Sequence, residues 1–473
     1  MSSKLGDKLN YNSMKASAMD SRSISSTVPP RSGVNFVGQS GTVIEFEIPG
    51  NRPQEFLDLN NNLKFKLPVT IAGAVAGTLD RAGVYSLIQK MEFIQNGTVL
   101  CSVPKYNVLL TALSDIQMSA EYKASTGRLL EGMEGDVLRG AQMAGGASRT
   151  FFLSPLAVDL AMTTPHRNLW LGTGAAITVR LTLEDKNVAF KTAAAAVVVG
   201  YTIDNPQMLM ETTFLERETM DQLDKAVGGQ YKMLCNSYDH MSAVVPAGTT
   251  ASHIKLSFQK ASLERILFTV RPTGHSTGTC QQHFSLGSRG TGNLSEFQVE
   301  IAGVDHPQQP IKVEANGAEV FYELLKSDNI ASNYGHGLNG LMNSYTVTAT
   351  GNGTSSFGSE PQTAKVNPYI LPGDEAGGIS AGKSVVGDGA GANAAAPSDI
   401  GTFVAGVNFE SNLATSNNSP LYSGINTKNG VDVYWKAKWG NGVPAGGVTI
   451  DFYSLASELI FVEPDTNLYS KKA

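Results

Sequence analysis

One stretch of the sequence matches the spacing of a phosphate-binding loop. Residues 377–384 read Gly-Gly-Ile-Ser-Ala-Gly-Lys-Ser, which places glycines, Lys383 and Ser384 where a nucleotide's phosphates and its Mg²⁺ would be held. That chemistry requires a buried strand before the loop and a helix after it. Pro372-Gly373 precedes the match, and glycine at every other position of the following run opposes a helix. We interpret the match as a coincidence within a Gly-rich segment.

Two further segments match the Gly-x-Ser-x-Gly turn that carries the nucleophile of many hydrolases. They are centred on Ser276 and Ser380. The turn works by raising the serine between a strand and a helix. Ser380 has neither flank, whereas Ser276 follows a strand-like run but is separated from it by Pro272 and precedes no helical pattern. A polar hairpin turn explains Ser276 better than a catalytic site.

The histidines and cysteines do not form a metal-binding pattern. The nearest group is His275, Cys280 and His283, without a second pair of ligands, and the three cysteines are far apart and odd in number. The carboxylates are scattered, with no sequence basis for a catalytic pair. We therefore predict no cofactor, no metal, no small-molecule substrate and no enzymatic activity.

The composition favours a β-rich protein with much buried surface. Of 473 residues, 41% are hydrophobic, only 16% are charged, and 49 are glycine, which argues against long solvated helices. The net charge of −6 excludes a globally basic nucleic-acid binder. No run approaches the roughly 18 apolar residues of a membrane span. The polar N-terminus does not resemble a secretory signal.

Alternating apolar and polar residues predict many strands with one buried face. The clearest runs begin at Ile44, Leu63, Ile177, Phe297, Val431 and Val448. Helical patterns are few, and we expect them at Tyr106–Met118, Phe214–Ala226 and Glu319–Lys326. The fold class is therefore all-β with few short helices.

Residues 1–35 form a Ser-rich arm that we expect to be extended and to become ordered against a partner. Five basic residues against Asp7 and Asp20 give it a net charge of 5 − 2 = +3. A protein clamp and an electrostatic contact with nucleic acid or lipid both fit this composition. The candidate interaction residues are Lys4, Lys8, Lys15, Arg22 and Arg31.

Two pairs of segments recur in the same order and indicate an internal duplication. Asn96-Gly97 and Asn316-Gly317 are each preceded by a β-like run and followed by an aromatic residue and a Leu-Leu pair, and Ile203-Asp204 matches Ile450-Asp451. We expect two copies of one β-fold after the arm. The predicted division is an arm at 1–35, a first unit at 36–213, a connecting helix at 214–230, a second unit at 231–463 with a Gly/Ala-rich surface insertion at about 346–429, and a tail at 464–473.

Several segments are similar to the major capsid proteins of adintoviruses, polinton-like viruses and virophages. Residues 46–71 resemble an Ile-Pro-Gly…Phe-Leu-Asp-Leu pattern in the opening strands of that family. Residues 151–190 resemble another of its segments, and residues 311–329 its second-half strand and helix. The long Gly/Ala insertion departs from the family pattern.

The resemblance implies a double jelly roll, in which two antiparallel eight-stranded sandwiches stand in tandem. It implies a homotrimer that forms a pseudo-hexagonal capsomer of an icosahedral shell around DNA, located in the virion. The implied partners are neighbouring capsomers, penton proteins and minor or cement proteins, with packaged DNA or an inner membrane as contacts of the arm.

Three other interpretations remain open. A secreted or surface adhesin-type β-sandwich would also have many strands and Gly-rich loops, but it does not explain the duplicated segments. A single jelly-roll coat protein conflicts with the length. An enzyme would require nucleotide binding that is lost in Lys383→Ala, or labelling of Ser276 by a serine-hydrolase probe.

Overall fold

The fold was analysed in a computed structural model of the whole chain. The structure describes residues 21–134, 139–164, 168–192, 198, 200–228, 231–273, 285–313, 318–328, 401–410, 424–428, 430–440, 442–444, 446–463 and 466–472. Within this part of the chain, none of the helices is long and apolar enough to cross a membrane.

The first half of the chain contributes eighteen of the described strands. They are β1 (Ser21–Val28), β2 (Asn35–Val37), β3 (Val43–Ile48), β4 (Glu55–Leu57), β5 (Leu63–Ala72), β6 (Gly77–Leu79), β7 (Ile88–Gln95), β8 (Thr98–Pro104), β9 (Met133–Glu134), β10 (Arg139–Gly140), β11 (Gln142–Met143), β12 (Ser148–Leu153), β13 (Thr163–Thr164), β14 (Leu169–Trp170), β15 (Ile177–Leu183), β16 (Phe190–Lys191), β17 (Gly200–Asp204) and β18 (Gln207–Leu215).

Two antiparallel sheets of the first half face each other and form the first sandwich. One has the order β3-β15-β7-β8, and the other has the order β14-β4-β18-β5-β17-β2, with β1 added to β18 and β12 to β5. The alternation along β5 buries every second residue from Leu63 to Ile71. Phe46 on one sheet meets Phe65 on the other, with ring centroids 5.4 Å apart. Burial of these inward faces provides the main driving force for this half.

The second half contributes eleven described strands. They are β19 (Lys232–Val245), β20 (Ala251–Leu256), β21 (Leu263–Pro272), β22 (Ser288–Arg289), β23 (Leu294–Ile301), β24 (Val304–Lys312), β25 (Gly401–Thr402), β26 (Ala405–Asn408), β27 (Val433–Trp439), β28 (Val448–Val462) and β29 (Tyr469–Lys472).

These strands form a second sandwich with a similar plan. One sheet has the order β20-β27-β23-β24. The facing sheet has the order β13-β19-β28-β21-β26, in which β13 is provided by the first half, and β29 is paired to β28. Aromatic side chains join the two sheets: Phe268 lies 4.8 Å from Phe297 and 5.3 Å from Trp435 between ring centroids. Such edge-on ring pairs add to the free energy gained from apolar burial.

The β21 and β28 strands are buried on both faces, which explains why they lack a clear alternation. All of residues 263–270 are buried, and so are all of residues 450–458. One face of this sheet packs on the core of the second sandwich. The other face lies toward the first sandwich. There the hydroxyl of Tyr453 donates a hydrogen bond to the carbonyl of Lys105 in the first half (2.9 Å).

Three of the five described α-helices lie close to where their sequence patterns predicted them, and the two shortest were not predicted. The five helices are α1 (Tyr106–Gln117), α2 (Ala120–Ala124), α3 (Lys186–Ala189), α4 (Arg217–Val227) and α5 (Ala318–Ser327). The α4 helix lies between the last strand of the first sandwich and β19, and it begins three residues later than its pattern, because β18 extends to Leu215. Its end is closed by Gly228 in the left-handed conformation.

The two copies of the fold align differently from our expectation, in which the two Asn-Gly pairs were equivalent. Asn96-Gly97 does form the tight turn between β7 and β8, and both residues have positive φ. The equivalent turn between β23 and β24 is Ala302-Gly303, also with positive φ at both positions. Asn316-Gly317 comes after β24 and lies outside the described residues, so the two Asn-Gly pairs do not correspond.

Part of the predicted surface insertion belongs to the core of the second sandwich. The β26 strand pairs with β21, and Phe403, Val404 and Val407 are buried. The backbone of Ile425 pairs with that of Leu263. The apolar residues within 401–410 explain this result, because they bury a face that a glycine-rich loop would not have. The rest of the insertion, at 346–400, 411–423 and 429, lies outside the described residues.

The second part of the N-terminal arm pairs with its own chain, although we expected the arm to become ordered against a partner. Strand β1 runs antiparallel to β18 from Ser21 opposite Leu215 to Val28 opposite Met208. Its serines and β-branched residues suit an edge strand. The C-terminal tail likewise contains β29, which pairs with β28.

Candidate functional site at the seam between the sandwiches

The residues that the sequence offered for catalysis lie outside the described part of the chain. This applies to the loop at 377–384, to Ser276 and Ser380, and to His275, Cys280 and His283. Within the described residues, no group of three or more histidine, cysteine or acidic side chains could hold a metal ion. Cys101 and Cys235 are buried free thiols, and burial raises the pKa of Cys235 to about 12 and that of Cys101 well above its usual value. A thiol in such surroundings is not a ready nucleophile.

The most elaborate polar arrangement lies at the seam, the surface where the two sandwiches meet. Asp115 on α1 accepts hydrogen bonds from Arg81 (2.6 Å), from Lys123 (3.2 Å) and from Arg289, which the second half provides. All four side chains are at most 6% exposed. Burial opposes the ionisation of Asp115, but the three cations outweigh it and hold the pKa of this carboxyl below its usual value. The arrangement links the two halves by buried charge.

Asp80 makes a second polar link across the seam. Its two carboxylate oxygens accept hydrogen bonds from the backbone N–H of Arg81 (2.7 Å) and of Leu286 (2.8 Å), the latter in the second half. Burial raises the pKa of Asp80 to about 6, and the two backbone hydrogen bonds and nearby Arg81 only partly oppose this rise.

A third group at the seam surrounds Asp451 on β28. This carboxylate binds Arg271 (2.6 Å) and His240 (2.9 Å), and Arg271 also donates to the carbonyl of Ser285 (3.2 Å). Burial disfavours the charge of Asp451, but Arg271 and His240 outweigh it and hold the pKa well below its usual value. Because Ser285 precedes Leu286, this group continues into the Asp80 link.

The C-terminal segment fastens the two sandwiches together. While β29 pairs with β28, Tyr469 donates its backbone N–H to Gln95 (2.8 Å) and its hydroxyl to the carbonyl of Trp170 (2.8 Å), both in the first half. Lys471 binds Asp159 (2.7 Å) and also pairs with Glu458. We call residues 466–472 the C-terminal clasp.

A cavity of about 380 Å³ remains between the sandwiches beside these links. Its wall combines residues of both halves, including Leu110, Leu113, Met162, Tyr238, Arg265 and Leu455. Arg265 is held by the hydroxyl of Tyr238 (2.8 Å) and by Asp328. The seam is thus a mixed apolar and ionic contact, which fixes the relative position of the two sandwiches.

Two of the five arm residues proposed for interaction lie in the described part, and both contact the chain itself. The guanidinium of Arg22 lies 4.5 Å from the ring centroid of Phe214, and Arg31 pairs with Glu47 (2.6 Å). Both are surface contacts that contribute little to stability. Lys4, Lys8 and Lys15 lie outside the described residues.

Sequence reasoning missed the residues of the seam, although one signal was present. Asp115 is the single charged residue in the mostly apolar run 108–116, and Glu264 and Arg265 interrupt the mostly apolar run 263–270. A charge inside a buried run requires a paired partner. The partners themselves were not identifiable, because Arg289 is 174 residues away from Asp115 and Asp159 is 312 residues away from Lys471.

Comparison with solved structures yields matches along almost the entire chain. A chain of the PBCV-1 virus capsid superposes with a TM-score of 0.59 at 11% identity, over 97% of this chain and 98% of that one. The Faustovirus major capsid protein gives 0.53 at 12% identity, over 95% and 92%. The mavirus major capsid protein gives 0.50 at 12% identity, over 100% and 96%.

Comparison of the sequence itself gives no match. No protein family model matches the chain, and no curated protein matches it either. The structural likenesses nevertheless establish the fold. The chain is a double jelly roll, the fold that the resemblance implied, and these neighbours of known structure are capsid proteins, as the resemblance also indicated.

Proposed function

We propose that this chain is a structural major capsid protein, three copies of which form a pseudo-hexagonal capsomer of an icosahedral viral shell. The observation that carries the proposal is the double jelly roll itself, which extends over nearly the full length of both this chain and the capsid proteins it resembles. A partial match would have left room for a shared module with another role. Fold alone does not fix function, so the seam supplies a second argument.

The seam gives the chain the rigidity that a capsomer subunit needs. Three copies of a chain with two similar sandwiches present six similar lobes around one axis, provided that the sandwiches keep a fixed relative position. The Asp115 cluster, the Asp80 link and the C-terminal clasp hold that position with buried polar contacts. Contacts of this kind favour one arrangement strongly, because any other would leave buried charges unpaired.

The proposal includes a division of the chain and a set of partners. The arm occupies residues 1–35, the first jelly roll 36–213 and the connecting segment that contains α4 214–230, while the second jelly roll begins at 231. The insertion up to residue 400 forms part of an outer tower. Neighbouring capsomers, penton proteins and minor or cement proteins are the partners, and the chain resides in the virion.

For the arm, we propose a position on the inner surface of the shell, where it ties neighbouring capsomers. Lys4, Lys8 and Lys15 would also meet packaged DNA or an inner membrane electrostatically. Deletion of residues 1–20 leaves β1 in its sheet and is expected to give trimers that assemble into shells poorly. Deletion of 1–32 also removes β1 and is expected to lower the thermal stability of the trimer. Normal shells from the shorter deletion would contradict the role of the arm.

The solution mass tests the proposed function. The full-length protein should elute as one species whose mass by light scattering is about 150 kDa (3 × 50.1 kDa), with a hexagonal outline in negative stain. A monomer of 50.1 kDa that gains no mass at high concentration would contradict the capsomer and would favour a β-sandwich binding protein.

A further inference from the structure

The buried cluster around Asp115 holds more positive than negative charge. Its described members are three cations (Arg81, Lys123 and Arg289) and two carboxylates (Asp115 and Asp80), which give 3 − 2 = +1 when all are ionised. The strongest charge effects on Asp115 and Lys123 come from within this cluster. A net charge enclosed by protein is costly unless a counter-charge lies beside it.

Arg289 is the member whose hydrogen bonds are incomplete. Its side chain is fully buried, at 0% exposure, and its Nη2 donates to Asp115. Its Nε and Nη1 are buried as well and make no hydrogen bond to any residue that the structure describes. An ionised guanidinium with two unpaired N–H groups away from water has lost hydration that no other contact replaces. Among the described residues, an acceptor is therefore missing from this side of Arg289.

We propose that a small inorganic anion, of the chloride class, binds at Nε and Nη1 of Arg289 inside the seam. One monovalent anion would complete the hydrogen bonds of Arg289 and also cancel the excess charge of the cluster, which a water molecule could not do. The complete burial of Arg289 restricts the ligand to a small ion, since a phosphate ester or a carboxylate-bearing metabolite has a larger body.

The anion would act as a structural ligand that joins the two halves. Arg289 belongs to β22 of the second half, whereas Asp115 and Arg81 belong to the first. A ligand that binds only when these elements meet stabilises the folded seam in proportion to the logarithm of its concentration. The inference does not depend on the proposed capsid role, because it concerns the subunit itself.

Anomalous diffraction with bromide tests the site directly. Crystals of the full-length protein grown in a chloride-free buffer and soaked in bromide should show an anomalous peak within hydrogen-bonding distance of Nε and Nη1 of Arg289. This measurement needs no variant, so it does not depend on whether a changed side chain folds. Absence of the peak at saturating bromide would overturn the proposal.

A solution experiment checks that the ion contributes to stability. At constant ionic strength, replacement of gluconate by chloride should raise the unfolding temperature of the wild type. The same replacement should leave the unfolding temperature of Arg289→Met unchanged. Arg52→Met, which removes an exposed arginine paired with Glu55, serves as the control and should keep the chloride response. A chloride response of equal size in Arg289→Met would contradict the proposal, since the ion would then act elsewhere.

Discussion

Asp80 shows how a single buried carboxyl can make the stability of the seam depend on pH. Burial raises its pKa from 3.8 to about 6, so the folded protein binds a proton at a pH where the unfolded chain does not. The free energy of unfolding therefore gains a contribution as the pH falls through 6, and the gain is complete near pH 4. A shift of about two pKa units corresponds to roughly 3 kcal/mol.

Asp80→Asn provides the test of this behaviour. As the pH is lowered from 7 to 4, the free energy of unfolding of the wild type should rise by up to about 3 kcal/mol relative to that of Asp80→Asn. The variant lacks this rise because its side chain does not bind a proton. Urea unfolding at a series of pH values measures the difference. Asp221→Asn, at an exposed position of α4, is the control for the loss of a carboxylate. A difference that stays constant with pH would show that Asp80 titrates normally.

The two equivalent hairpin turns allow a matched comparison at single positions. Asn96 and Ala302 both have positive φ, at 47° and 53°, and both are exposed. Asparagine adopts this conformation more readily than alanine does. Ala302→Asn should therefore stabilise the protein by up to about 1 kcal/mol, and Asn96→Ala should destabilise it by a similar amount. Thermal unfolding measures both, and equal effects of the same sign would refute the proposed equivalence.

At the level of secondary-structure elements, the C-terminal clasp is the part whose role is easiest to isolate. Removal of residues 464–473 deletes β29 and its hydrogen bonds to Gln95 and Trp170. The two sandwiches should then unfold in two resolved calorimetric transitions, whereas the intact chain should unfold in one. Tyr469→Phe removes only the bond to Trp170 and should cost about 1 kcal/mol. A single transition in the truncated protein would contradict this role of the C-terminal clasp, because the remaining contacts of the seam would then be enough to make the two sandwiches unfold together.

The strands that alternate were predictable over their full length, whereas those buried on both faces were predictable only in part. Strands β3, β5 and β15 bury alternate residues, so their sequence period of two was enough to locate them. The strand β26 and the continuously buried β21 and β28 gave no such signal over their full length. The edge strand β1 is mostly serine and threonine, so composition alone placed it in an extended arm that was expected to become ordered only against a partner.

For the whole molecule, the order of elements carried more information than any single motif. A hairpin followed by a helix occurs twice, as β7-β8-α1 and as β23-β24-α5. This recurring order supported the prediction of two copies of one fold, even though the Asn-Gly pairs were misaligned. The seam could not be predicted from the sequence, because it depends on contacts between residues hundreds of positions apart. Those contacts exist only after both sandwiches have formed.

The most direct test of the whole account is a cryo-electron microscopy map of the purified full-length protein. The account predicts a three-fold particle with six similar lobes, two from each chain, and with the C-terminal clasp lying between the two lobes of one subunit. A two-fold particle, or a monomer whose sandwiches take variable relative positions, would contradict the claim that this chain is built as a capsomer subunit.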